Sequence, residues 1–156
     1  MAVGIVVAVV VLLAIDYAAG PSCAPPVPKL WQTGSTTVLV PCGTHVTLPA
    51  DSYVGYSAGR FSDAEILLGK FQSSAPIGAY LLNSSQFDSL NSNPHPTGPP
   101  GQPFWTCGVV ASCQLNADVP PSPSEYFLAL ENFNSTNASV VWSQSLTVAW
   151  ISVNNS

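Results

Sequence analysis

The chain has two hydropathy regimes. Ala2 to Ile15 is an unbroken apolar run of fourteen residues that stops at Asp16. After Gly20 the apolar residues recur at a period of two, the spacing of half-buried strands. Thr36–Val40 and Thr44–Leu48 are two such segments, and Pro41-Cys42-Gly43 between them predicts a hairpin turn. Glu65–Phe71 and Ile77–Leu82 read as strands separated by Ser74-Ala75-Pro76, and Glu125–Glu131 reads as a third. Near the C-terminus Val140, Trp142, Leu146, Val148 and Trp150 share one parity, broken by Gln144. Ser143, Ser145 and Thr147 share the other. This predicts one long strand, bent near Gln144, with a buried and a wet face.

Asn132–Asn137 is rich in residues that tolerate left-handed conformations and predicts the turn of a last hairpin, Glu125–Glu131 with Ala138–Ile151. Asn91–Pro103 carries five prolines and predicts a long loop; Pro120, Pro121 and Pro123 mark another turn. A short helical turn over Ser84–Leu90 would point Phe87 and Leu90 inward. With six to eight strands and no long amphipathic helix after Gly20, the expected fold is all-β. It is an antiparallel β-sandwich, jelly-roll-like, preceded by one hydrophobic helix. The domains are then residues 1–19, an anchor or signal helix; 20–30, a stiff Pro-rich linker; and 31–156, the sandwich.

A bilayer span needs about 20 apolar residues, and a signal-peptide core about 7–15. Crossing Asp16 to Ala19 extends the run to eighteen residues, a marginal span with Asp16 and Tyr17 at the interface. Ala18-Ala19-Gly20 also offers a signal-cleavage site, but no Lys or Arg precedes the run as a signal's basic region requires. An uncleaved anchor is the favoured reading, a cleaved signal its rival and a buried soluble helix the third.

Charge sharpens the setting. Only 7% of the residues are charged, against about 25% in average soluble domains. Lys29, Arg60 and Lys70 are the only cations, so no basic patch for nucleic acid can form. Four Trp, six Phe and five Tyr supply a core and exclude global disorder.

Three segments carry a resemblance: Gly69–Phe87 (GKFQSSAPIGAYLLNSSQF), Phe104–Gly108 (FWTCG) and Ser124–Val148 (SEYFLALENFNSTNASVVWSQSLTV). In this order they resemble the small extracytoplasmic β-sandwich domains of membrane-anchored prokaryotic surface proteins, archaeal ones included. More loosely, they resemble pre-peptidase C-terminal-type sandwiches. The resemblance covers about half the chain. It implies a sandwich and a cell-surface setting, and it transfers no catalytic residue.

Four cysteines in an exported setting imply two disulfides, for which three pairings exist. Cys107 and Cys113 bracket five residues and close easily, which leaves Cys23 to pin the linker to Cys42. Neither pair has zinc spacing, and only His45 and His95 could add imidazole, so no metal or other cofactor is expected. No G-x-S-x-G is present, and His45 with Asp51 is the only His–carboxylate pair close in sequence. Asp63 and Glu65 share one face of a strand start but lack a calcium loop, so they read as edge charges. Asn83, Asn134, Asn137 and Asn154 begin N-x-S/T sequons, candidates for glycosylation. Trp31, Phe104 and Trp105 flank loops and are candidate stacking platforms for a carbohydrate.

The expected function is non-enzymatic: a membrane-anchored surface protein displaying its sandwich for adhesion, envelope structure or capture of a carbohydrate or surface protein. The alternative is a pilin-like filament subunit with self-associating helices, since Gly4 and Ala8 have small-xxx-small spacing. It lacks the processing site and early Glu of type IV pilins. A hydrolase, the third class, would need His45 or His95.

Overall fold

The computed structural model describes Cys23, residues 36–93 and residues 97–150. It contains seven strands: β1 (Thr36–Val40), β2 (His45–Leu48), β3 (Ser52–Phe61), β4 (Glu65–Asn83), β5 (Trp105–Val119), β6 (Ser122–Asn132) and β7 (Ala138–Trp150). One helix, α1 (Ser84–Asn91), lies between β4 and β5. All pairings are antiparallel, as the alternation requires. The expected anchor, most of the linker, Trp31, His95 and Asn154 lie outside the described residues. Among the described residues no helix is long and apolar enough to cross a membrane.

β4 is the spine. On one edge it pairs with β5 along almost its whole length. On the other edge its first half pairs with β7 and its second half with β6. β7 carries β1 and β2, and β6 carries β3. The ladder between β4 and β5 slips between Gln72 and Ile77, at the Ser74-Ala75-Pro76 segment that separated two expected strands. Pro76 has no N–H to give a ladder, so the chain bulges there and continues as one strand.

The two halves of the sheet enclose a common core. It draws on Val40 and Leu48, on Ala58 and Phe61, and on Leu67, Phe71, Ile77 and Leu81 of the spine. Leu115, Leu128, Leu130, Val140, Trp142 and Leu146 complete it. The antiparallel all-β expectation holds, but the layers are not separate sheets. One seven-stranded sheet, in the order β1-β7-β4-β6-β3 with β2 and β5 as branches, folds back on itself and nearly closes.

Both expected hairpins are absent. β1 and β2 run end to end along one edge of β7, and Gly43, at φ +82°, carries the chain through the kink between them. The Gly43 N–H bonds Trp142 O, and the Trp142 N–H bonds Thr44 O, so the ladder continues across Pro41–Thr44. Likewise β6 and β7 follow one another along the same edge of β4. The Asn132–Asn137 segment shifts the strand sideways and does not reverse it. The register of β7 against β4 slips twice around Gln144, where a bend was expected.

A second, smaller core lies outside the sheet. Helix α1 is capped reciprocally: the Asn83 side chain accepts from Gln86 N–H, and the Gln86 side chain accepts from Asn83 N–H. Its Leu90 and Phe87 point onto the sheet as expected, packing with Tyr80, Leu82 and Ala129. Phe87 stacks on Phe127 at 4.4 Å and sits over Gly55, where any Cβ would overlap its ring.

Candidate functional site

Two connections join the halves of the folded sheet at one end. Residues 62–64 lead from β3 to β4, and Pro120-Pro121 leads from β5 to β6. They run side by side because Phe61 pairs with Ser122 in the β3–β6 ladder. The prolines end the β5 ladder, since neither can donate to it. Between the connections lies an open depression of about 530 Å³, lined by Arg60, Phe61, Ser62, Pro121, Ser122 and Pro123.

Arg60 is exposed. Its guanidinium makes no hydrogen bond and no ion pair among the described residues. In a protein of net charge −5 this is an unneutralised cation with five forked donors. Ser62 Oγ donates to Asp63 Oδ2 at 3.0 Å, and Ser122 Oγ accepts from Ser124 N–H at 3.0 Å. Both hydroxyls are therefore oriented. Phe61 joins a line of three rings: it stacks on the buried Tyr126 at 5.9 Å, and Phe104 meets Tyr126 edge-on at 5.0 Å. Phe104 is 46% exposed and presents the outer end of that line. The depression thus combines proline C–H surface, two hydroxyls and one cation over the buried ring of Phe61.

The candidates from sequence are only partly brought together. Phe104 joins this line of rings, whereas Trp105 packs half-buried against the main core. Asp63 is exposed in the turn. Glu65 is buried at the start of β4, and burial first, then the Asp63 charge, raises its carboxyl above the usual range. They are not a matched pair of edge charges: one is wet and the other is dry. His45 is exposed on β2 and Asp51 is exposed at φ +49°, with no hydrogen bond or ion pair joining them among the described residues. No group of three or more His, Cys, Asp or Glu converges among the described residues. Cys23 bonds Cys42 and Cys107 bonds Cys113, with Cα–Cα distances of 5.8 and 6.1 Å and no free cysteine. This is the pairing expected from loop closure, and it marks a chain that matures in an oxidising, extracytoplasmic compartment.

A buried acid was missed by sequence reasoning. Glu131 is fully buried on the outer face of β6, opposite Gly78 of β4 and Tyr53 of β3, with Tyr80 diagonal to it. Oε1 accepts from Gly98 N–H at 3.3 Å, and Oε2 has no hydrogen-bond partner among the described residues. Burial pushes its carboxyl up, and the Gly98 N–H only partly offsets that. Tyr80 is pushed up to about 12 by burial and then by the Glu131 charge. Because the folded carboxyl holds its proton to higher pH than the unfolded one, its stabilising contribution is complete in acid. That contribution is lost as pH rises through the raised value. Glu131→Gln removes this titration. Thermal unfolding from acid to neutral pH is expected to show the variant and the parent together at the acid end. The variant should become progressively the more stable as pH rises, and a constant offset would contradict the assignment.

No family model matches the chain, and no curated protein matches it. Among solved structures it is similar to a periplasmic lysozyme inhibitor of g-type lysozyme, PliG from Aeromonas hydrophila. The TM-score is 0.38 with 7% identity, covering 81% of this chain and 94% of that one. At that distance the reading of the site rests on the chain's own geometry.

Proposed function

We propose that this chain is a non-enzymatic binding domain displayed outside the cell. In this reading the apolar run Ala2–Ile15 is its membrane anchor, and the depression between the two interlayer connections contacts its ligand. The observation that carries the reading is Arg60, a guanidinium without a partner among the described residues, beside the apolar surface of Pro121 and Pro123. A guanidinium forks onto a carboxylate, and flat C–H and ring surfaces pack against sugar rings. The ligand class that satisfies both is a carboxylated saccharide.

Titration calorimetry with an oligogalacturonate and with its methyl-esterified, neutral counterpart tests this. The acidic oligomer is expected to bind and the neutral one to bind far more weakly. Charge-assisted hydrogen bonds contribute about 1.5–3 kcal/mol, so Arg60→Ala should weaken binding by about 10-fold or more. Equal binding of both oligomers, or an unaffected Arg60→Ala variant, would sink the proposal.

A further inference from the structure

Two sequons stand three residues apart in the segment between β6 and β7, and the fold treats their asparagines differently. Asn134 spends its amide nitrogen inside the structure: Nδ2 donates to Pro76 O at 2.9 Å and to Asn132 Oδ1 at 2.7 Å. Those two bonds use both of its hydrogens. A glycan on that nitrogen would remove at least one of them and enter the contact with β4. Asn83 is half-buried as the cap of α1. Asn137 is exposed, and its only hydrogen bond among the described residues runs through the other end of the amide, where Oδ1 accepts from Ala50 N–H at 3.3 Å. Glycosylation leaves that carbonyl intact, and the Ala50 bond fixes the amide with Nδ2 unengaged.

The strand that begins at Ala138 completes the geometry. Ala138 is fully buried and Ser139 is exposed, so the period of two places Asn137 and Ser139 on the solvent side of the same edge. The Ser139 N–H is held by Ser74 Oγ, while its own hydroxyl remains free of hydrogen bonds among the described residues. The sequon Asn137-Ala138-Ser139 thus presents its acceptor nitrogen and its hydroxyl together.

We infer that Asn137 is an N-glycosylation site and that Asn134 and Asn83 are structural asparagines. In the transfer, Nδ2 of Asn137 attacks the anomeric carbon of a lipid-pyrophosphate-linked oligosaccharide. The C–N bond forms and the C–O bond to pyrophosphate breaks. The amide nitrogen loses a proton, and the lipid pyrophosphate leaves with the bonding pair. A sugar there projects from the kink between β6 and β7, away from the depression at Arg60.

The test is secretion of the full chain, as an Asn154→Gln variant, from a yeast that N-glycosylates. The product is then treated with peptide N-glycosidase, and each Asn-to-Asp conversion is mapped by mass spectrometry. Conversion is expected at Asn137, with Asn134 and Asn83 unconverted. Asn137→Gln should abolish the glycan mass shift. Conversion at Asn134 or Asn83, or none at Asn137, would overturn the assignment.

Discussion

Replacing Asn132 with Asp is expected to destabilise the domain at neutral pH by about 3–5 kcal/mol, the cost of leaving an uncompensated charge in the interior. Asn132 is 1% exposed. Its Nδ2 donates to Leu48 O at 3.1 Å, Pro49 O at 2.9 Å and Thr136 O at 2.9 Å. Its Oδ1 accepts from Asn134 N–H at 3.0 Å and from Asn134 Nδ2. With two hydrogens the nitrogen shares one of them between two acceptors, and one side chain thereby links carbonyls from the end of β2, from the connection to β3 and from the kink before β7. An aspartate keeps the shape and the acceptor but turns a second oxygen, without hydrogens, toward three carbonyls. Protonating that carboxyl restores one donor, so the folded variant holds its proton above the ordinary carboxylate range. The deficit should then be smallest in acid and grow as pH rises through that value. Urea unfolding of both proteins across acid to neutral pH measures it; a deficit under 1 kcal/mol throughout would show that the network bears little of the fold's stability.

That network also explains where sequence pattern misleads. Asn132–Asn137 has the composition of a hairpin turn, and so does Pro41-Cys42-Gly43. Composition reports that the chain can bend, not where the next strand finds its partner. In both places the next strand keeps to the edge it was already following, because β7 is long enough to carry β1 and β2 end to end and β4 long enough to carry parts of β6 and β7. β4 is nineteen residues long because Pro76 bulges the spine without ending it. β3 carries a weak alternation, Val54, Tyr56 and Ala58 inward between Gly55, Ser57 and Gly59, and its two glycines and serine mask it as turn-like composition. β5 is masked by Gly108 and the Cys107–Cys113 bridge, which read as a closed loop yet lie inside one strand. Periodicity did place β1, β2, β6, β7 and the inward faces of α1, but the second halves of β6 and β7 are buried on both faces, so Thr147, expected on the wet side, is buried.

The candidate site was legible only at its rim. Phe104 is visible in sequence as an aromatic residue beside a proline loop. Arg60 and Ser122 meet because Phe61 pairs with Ser122, a contact between residues 61 positions apart that no local pattern encodes. Scarcity was the available signal: with three cations in the chain, each one's surroundings merit inspection. Glu131 lay inside a strong strand pattern, and its burial depends on the segment containing Gly98 returning over the sheet.

Trp142→Ala is the second large effect, an expected loss of about 3–5 kcal/mol, the range for emptying a buried Trp site. Trp142 is fully buried and is the largest of the fully buried side chains. Tyr56 meets its ring edge-on at 5.7 Å, from the half of the sheet that carries β3. Phe71 meets it at 5.6 Å from the spine. Gly69 lets β4 approach, because a Cβ there would lie 3.2 Å from the indole. The ring therefore fills the space between the two halves, and no neighbour can collapse into it without moving a strand. Its indole N–H lies beside the Tyr56 hydroxyl, a contact that partly offsets the rise burial gives the Tyr56 pKa but falls short of good hydrogen-bond geometry among the described residues. Trp142→Phe keeps a ring against Tyr56 and Phe71, so its loss should be less than half that of the alanine variant. Equilibrium denaturation of the two variants decides the point. Equal losses would mean that the unfilled volume left by phenylalanine, and not the ring contacts across the two halves, governs the cost.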